Sequence, residues 1–263
     1  MKFSSTNPML SENSIVSHSD SVAMSKGQIM TLEGTAKKSA MLILLCLITG
    51  FVMYGNLLES IIENYQRSGS VSIAGSGVYI GVASIVGLIA YFVGLFVPKI
   101  AKICAPVYAI AEGIVLGAFS VIAEVKFPGV ALQALISTFA IAGVMFVGFS
   151  YGFFKVTQKL KSFVIACAIG YIVFLLANMI LSLFGNGIAV LNVENQSVIS
   201  YGISIFAVCL GALFLLLDFD NIAQLHGRAS KDMEWVCGMG LLATLVWLYI
   251  ELLKLFMKLQ SRE

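Results

Sequence analysis

Seven apolar stretches, each about as long as a bilayer is thick, run through this chain of 263 residues. A helix rises 1.5 Å per residue, so crossing roughly 30 Å of hydrocarbon takes about 20 apolar residues. The stretches are 39–58, 76–97, 104–125, 129–152, 161–184, 198–219 and 235–257. They are continuous, whereas barrel strands are segments of about ten residues with alternating hydropathy. The expected fold class is therefore all-α and integral to the membrane, a bundle of seven transmembrane helices with the lipid bilayer as its solvent. Composition agrees: 59% of the residues are hydrophobic and 11% charged, against about 25% charged in an ordinary soluble domain.

Residues 1–37 are polar and rich in serine, with no apolar run of signal-peptide type. They are expected to form a flexible cytosolic arm preceding a transmembrane domain over 38–263. Lysine and arginine placement sets the orientation. With the N-terminus inside, the cytosolic segments hold eleven of these residues and the outer side five, Arg67, Lys126, Lys254, Lys258 and Arg262. The basic C-terminal end runs against this pattern and leaves open a seventh segment that does not cross fully. A cytoplasmic membrane of bacterial type fits the absence of a targeting peptide.

Within the span pattern, small residues recur four apart as Gly77/Gly81, Gly113/Gly117 and Gly148/Gly152. In lipid such pairs let helix backbones approach closely, so all three are read as packing sites of one compact bundle. The five cysteines lie in or beside apolar spans without a CxxC spacing, and are read as small packing residues. A net charge of +2 with no basic cluster argues against a nucleic-acid partner.

Charge in hydrocarbon is costly and survives mainly where it has a task. Glu112, Asp218, Asp220 and Glu251 lie in or at the ends of spans, with no basic residue expected at the same depth. The two histidines, His18 and His226, lie outside the spans, so no histidine base is available there and no enzyme is expected. Lys254, near a helix end, is expected to snorkel to the interface. Two buried carboxyl groups at short range share one proton and titrate as a unit. Ionised together, they repel each other or demand a cation. A tight calcium cage needs six to eight oxygens, more than these acids supply, so transient calcium or another cation is expected and no tightly bound metal or cofactor.

Three sequence blocks carry a resemblance to a known family. They are Asp218-Phe-Asp220-Asn-Ile222, Met233-Glu234-Trp235, and Leu241-Leu-Ala-Thr-Leu-Val-Trp247-Leu-Tyr-Ile-Glu251. Upstream, Asn7-Pro8-Met-Leu10, Met30-Thr31 and Ala105-Pro106-Val-Tyr108-Ala-Ile-Ala-Glu112-Gly113 extend it over nearly the whole chain. Together they resemble the Bax inhibitor-1 superfamily, more closely its bacterial-type branch. The resemblance implies seven helices with the last near the bundle centre. It also implies a pH-sensitive calcium leak gated by an acidic pair, with Asp218 matching the first acid and Glu251 the second. Glu251 departs from the usual aspartate. The arginine latch of the second helix has no counterpart, since no arginine occurs between Arg67 and Arg228; Lys99 is the basic residue considered in its place.

Depth counting leaves the pairing open. Asp218 falls about 10 Å from the cytosolic end and Glu251 about 25 Å, while Glu112, at about 12 Å, matches Asp218 in depth. Glu251 would then lie level with Asn56 and Asn178 in an outer polar cluster. Two functions follow from these residues. One is a pH-sensitive cation leak, with calcium as the expected ion and intramembrane carboxylates as its gate. The other is a non-conducting regulator whose polar arm binds a membrane protease or stress-response complex.

Overall fold

The computed structural model describes residues 29–68, 76–185, 188, 191–193, 195 and 197–261. Seven long helices account for nearly all of them: α1 (Leu32–Ser68), α2 (Ser76–Phe96), α3 (Ala101–Lys126), α4 (Val130–Ser150), α5 (Gln158–Leu183), α6 (Val198–Leu225) and α7 (Met233–Gln260). Each is long and apolar enough to cross a membrane. A one-turn 3-10 helix, Pro98–Ile100, joins α2 to α3. The seventh segment has 28 residues, or about 42 Å of helix, enough for a full crossing.

The helix α7 is the most buried of the seven and packs against α1, α3, α4 and α6. Its side chains Met239, Leu242, Leu248 and Leu252 are almost completely enclosed. A helix apolar on most of its circumference belongs in an interior, and the central placement expected for the last helix is what the bundle has.

The helix α1 departs from expectation at both ends. It begins at Leu32 and has 37 residues, about 55 Å. Residues 29–37 are therefore part of the packed structure rather than of a flexible arm: Met30 and Thr35 are buried. Met30 donates its N–H to the Ala229 carbonyl and accepts from Gly227, at 2.9 and 3.1 Å, while Ile29 forms a β-bridge with Ser230. Residues 1–28, with Asn7, Pro8 and His18, lie outside the described residues.

Of the three expected glycine pairs, one packs helix on helix. A Cβ at Gly113 would collide with Thr49 Oγ1 and the Cys46 carbonyl, and one at Gly117 with the Gly50 carbonyl. The backbones of α1 and α3 thus meet across Gly50, Gly113 and Gly117. Gly77 and Gly81 face open space, and Gly148 accommodates the Phe154 ring from the turn that follows α4. Spacing alone does not say which way a pair points; the rotation of each helix decides it. Gly117→Ala is expected to force α1 from α3 and cost about 1–3 kcal/mol, as overpacking does. Gly81→Ala is expected to leave the thermal unfolding midpoint in detergent unchanged. Equal midpoints for the two variants would refute this account of the contact.

The turn between α3 and α4 is built by Glu124. Its two carboxylate oxygens accept from the Gly129 and Ala131 N–H groups, at 2.6 and 3.2 Å. These are among the N–H groups that a helix start leaves without an internal partner. Gly129 itself adopts φ 86°, a left-handed conformation that glycine reaches at little cost.

Candidate functional site

Asp218 sits half-buried in α6, two turns before its end, facing α7. Its Oδ2 accepts a hydrogen bond from Thr244 Oγ1 at 2.6 Å. The same hydroxyl lies 3.3 Å from the Gly240 carbonyl one turn earlier. A hydroxyl has one proton to donate, so Thr244 serves one of these acceptors at a time. Tyr91 of α2 and Cys237 of α7 lie within electrostatic range of Asp218. Among the described residues, no ion pair involves Asp218.

Glu112 is half-buried in α3 where α1, α2 and α3 meet. Its carboxyl group faces the Tyr108 side chain one turn back, and its Oε1 is directed at the α2 backbone around Gly87. The Tyr108 ring lies 5.3 Å from that of Tyr91. The tyrosine pair thus lies on the α2–α3 side of the site, with Glu112 against Tyr108 and Asp218 at longer, electrostatic range of Tyr91. This arrangement lies in the half of the bundle where α3 and α7 begin. Leu42, Tyr108 and Met239 pack into one buried apolar cluster.

Glu251 lies elsewhere. It is 3% exposed and seven residues beyond Thr244, about 10 Å farther along α7. Its Oε1 accepts from Lys254 at 2.8 Å, and Tyr171 of α5 lies beside it. Lys258, one turn further on, is 2% exposed and donates to Ser204 Oγ at 2.9 Å and the Ser200 carbonyl at 3.3 Å. This corrects one expectation: basic residues do lie at the depth of the acids. A lysine three residues after a buried glutamate is on the same helix face, and Lys254 reaches the carboxylate with its side chain still 36% exposed.

Asp218 thus forms no hydrogen bond or ion pair with Glu251 or with Glu112. Glu251 is separated from it by depth, and Glu112 is turned to Tyr108 and the α2 backbone around Gly87. Asp220, two residues on, pairs with Lys161 of α5 at 3.1 Å, while Lys161 also bonds Asn221. It ties the end of α6 to the start of α5. Lys99 is exposed on the 3-10 turn and enters no ion pair among the described residues. The expected outer polar cluster does not form: Asn56 is exposed on α1, and Asn178 Oδ1 accepts from the Ile188 N–H, stapling the loop after α5.

One acid escaped the sequence reading. Glu234, in the first turn of α7, is 1% exposed. It accepts from the Thr31 N–H at 2.9 Å, Thr31 Oγ1 at 3.1 Å and Lys38 Nζ at 2.7 Å. Lys38 also lies 4.9 Å over the Trp235 ring. The signal was present in Met30-Thr31 and Met233-Glu234-Trp235, two separate blocks that the fold brings into contact.

Among the described residues, no three histidines, cysteines or acids gather in a metal-binding cluster. A hard cation, which prefers six or more oxygens, would meet one carboxylate at a time, at Asp218 or at Glu112. A profile of the family described as Bax inhibitor 1 like matches residues 7–261, nearly the whole chain. No curated protein and no solved structure matches.

Proposed function

The chain belongs to the Bax inhibitor 1 like family, and from that premise we propose that it is a proton-sensitive cation leak, passing calcium, in which Asp218 is the titrating group and Glu112 the second acid along the path. The bond from Thr244 to Asp218, made without a basic partner, carries the reading. With Asp218 protonated, its carboxyl O–H can donate to Thr244, whose own proton returns to the Gly240 carbonyl. With Asp218 ionised, Thr244 must turn to the carboxylate, and one hydroxyl leaves most of that charge uncompensated. An ionised carboxylate inside a bundle needs a counter-charge, and an entering cation supplies it. Flux then rises with pH.

Calcium flux into proteoliposomes, followed from acid to neutral pH, tests this. Wild type is expected to conduct more as pH rises. Asp218→Asn is expected to flatten the profile, Glu112→Gln to lower the flux while keeping the slope, and Glu251→Gln to leave the slope intact, since Glu251 is matched by Lys254. A flux independent of pH, or one indifferent to Asp218→Asn, overturns the proposal.

The Glu234 clasp favours a second reading, a non-conducting regulator in a bacterial cytoplasmic membrane with its N-terminus inside. Thr31 is bonded directly to the central helix, so a membrane protease or stress-response complex gripping residues 1–28 would pull on α7. Deleting 1–28 separates the two readings: a regulator loses its effect on the partner, while a leak persists.

A further inference from the structure

The helices α1 and α4 are not packed on each other, and a cavity of about 300 Å³ opens between them. The helices α3 and α7 form its floor. Ile43, Leu47, Phe51, Leu135, Phe139 and Leu242 make most of it apolar. Polar groups gather toward the α3–α4 turn: Tyr54, Glu124 and the hydrogen-bonded pair Ser120–Tyr249, whose hydroxyls are 2.6 Å apart. The flanks of the opening, Ile48 and Val52 on α1 and Leu132 and Ile136 on α4, are all more than half exposed. In a chain of this composition, that exposure is to hydrocarbon.

We propose that this groove holds one acyl chain of a membrane phospholipid bearing a cationic amine headgroup, drawn from the leaflet that the α3–α4 turn faces. Volume argues for an occupant. Protein interiors are packed with few voids larger than a water molecule, and an empty space forfeits the dispersion contacts of its lining. Its size is at the lower end of small-molecule sites, roughly 300–1,000 Å³. Water is a poor filler for so apolar a lining, whereas lipid tails are the medium immediately outside. Headgroup class follows from Glu124. Its carboxylate stands at the polar end of the groove, is held in place by the turn N–H groups, and enters no ion pair among the described residues. An ammonium group is the complement it lacks, and the Tyr54 hydroxyl, also at that end, is placed to assist.

Photo-crosslinking of the intact protein in bilayers tests the proposal. Two probes carry the same photoactivatable acyl chain, one with an ethanolamine headgroup and one with a glycerol headgroup. The ethanolamine probe is expected to label Phe51, Leu135 and Phe139 several-fold more than Val82 and Ile85, which face lipid on α2 away from the groove. The glycerol probe is expected to lack that excess. Ala131→Trp, which fills the groove, is expected to remove the excess while labelling of Val82 and Ile85 persists, and that persistence reports an intact bundle. Even labelling of all five positions by the ethanolamine probe means annular lipid only and overturns the site. Equal excess with both probes overturns the assignment to an amine headgroup.

Discussion

Replacing Lys38 by alanine is expected to lower the stability of the bundle by about 1.5–3 kcal/mol, the range for a hydrogen bond to a charged group. Glu234 is 1% exposed, and removing Lys38 leaves its charge with only the two Thr31 donors. Loss of one partner from an ion pair deep in an interior costs more, about 3–5 kcal/mol. The first turn of α7 is at the end of the bundle, where nearby water screens the charge, so the lower range applies. Glu234→Gln is expected to cost less, because it removes the charge that needs matching and keeps the shape. The double variant should then fall short of the sum of the single ones, as it does for groups in direct contact. Lys37 supplies the control. Its partner Glu33 lies one turn back at 2.6 Å, with both side chains about three-quarters exposed, and Lys37→Ala is expected to leave the unfolding midpoint in detergent in place. Equal effects of the two neighbouring substitutions would refute the structural role of the clasp.

The clasp also shows where sequence reading stops. Hydropathy locates all seven crossings because a span must be apolar along its whole length. It misplaces the ends of α1 because beyond the hydrocarbon the same helix carries Lys37 and Lys38 at one end and Glu59 and Glu63 at the other, which hydropathy does not distinguish from loop. The same limit hides Glu234, a residue at a span's edge whose partners are about two hundred positions away. Depth counting did better with the acids. It placed Asp218 and Glu251 at different levels, which is how the helices hold them, although the family resemblance pairs them. The Glu251–Lys254 pair has a helical spacing of three, but weighing Lys254 by its nearness to the helix end alone passed over it. The bond from Thr244 to Asp218 was not legible: Thr244 lies within the Leu241–Glu251 block, but its partner depends on the rotation of α6 and α7 about their axes. That rotation is fixed by packing contacts such as Leu248 against Gly211.

Thr244→Val is expected to have the largest effect on conduction. Valine keeps the shape of threonine and removes the one hydroxyl that donates to Asp218. A hydrogen bond to a charged group contributes about 1.5–3 kcal/mol, which corresponds to a shift of roughly ten- to a hundredfold in an equilibrium. In the proposed leak, that equilibrium lies between a carboxylate satisfied by α7 and one satisfied by a cation. Loss of the donor should therefore raise flux at neutral pH, where Asp218 must hold its charge without help. It should change flux little in acid, where Asp218 is protonated and carries no charge for a cation to match. Thr244→Ser restores the hydroxyl and should return flux to the wild-type level. Combined with Asp218→Asn, the valine substitution should add nothing, since Thr244 acts on conduction only through that carboxylate. Additive effects of the two substitutions would mean that Thr244 holds the helices together independently of Asp218, and the proton switch would then have to lie elsewhere in the bundle.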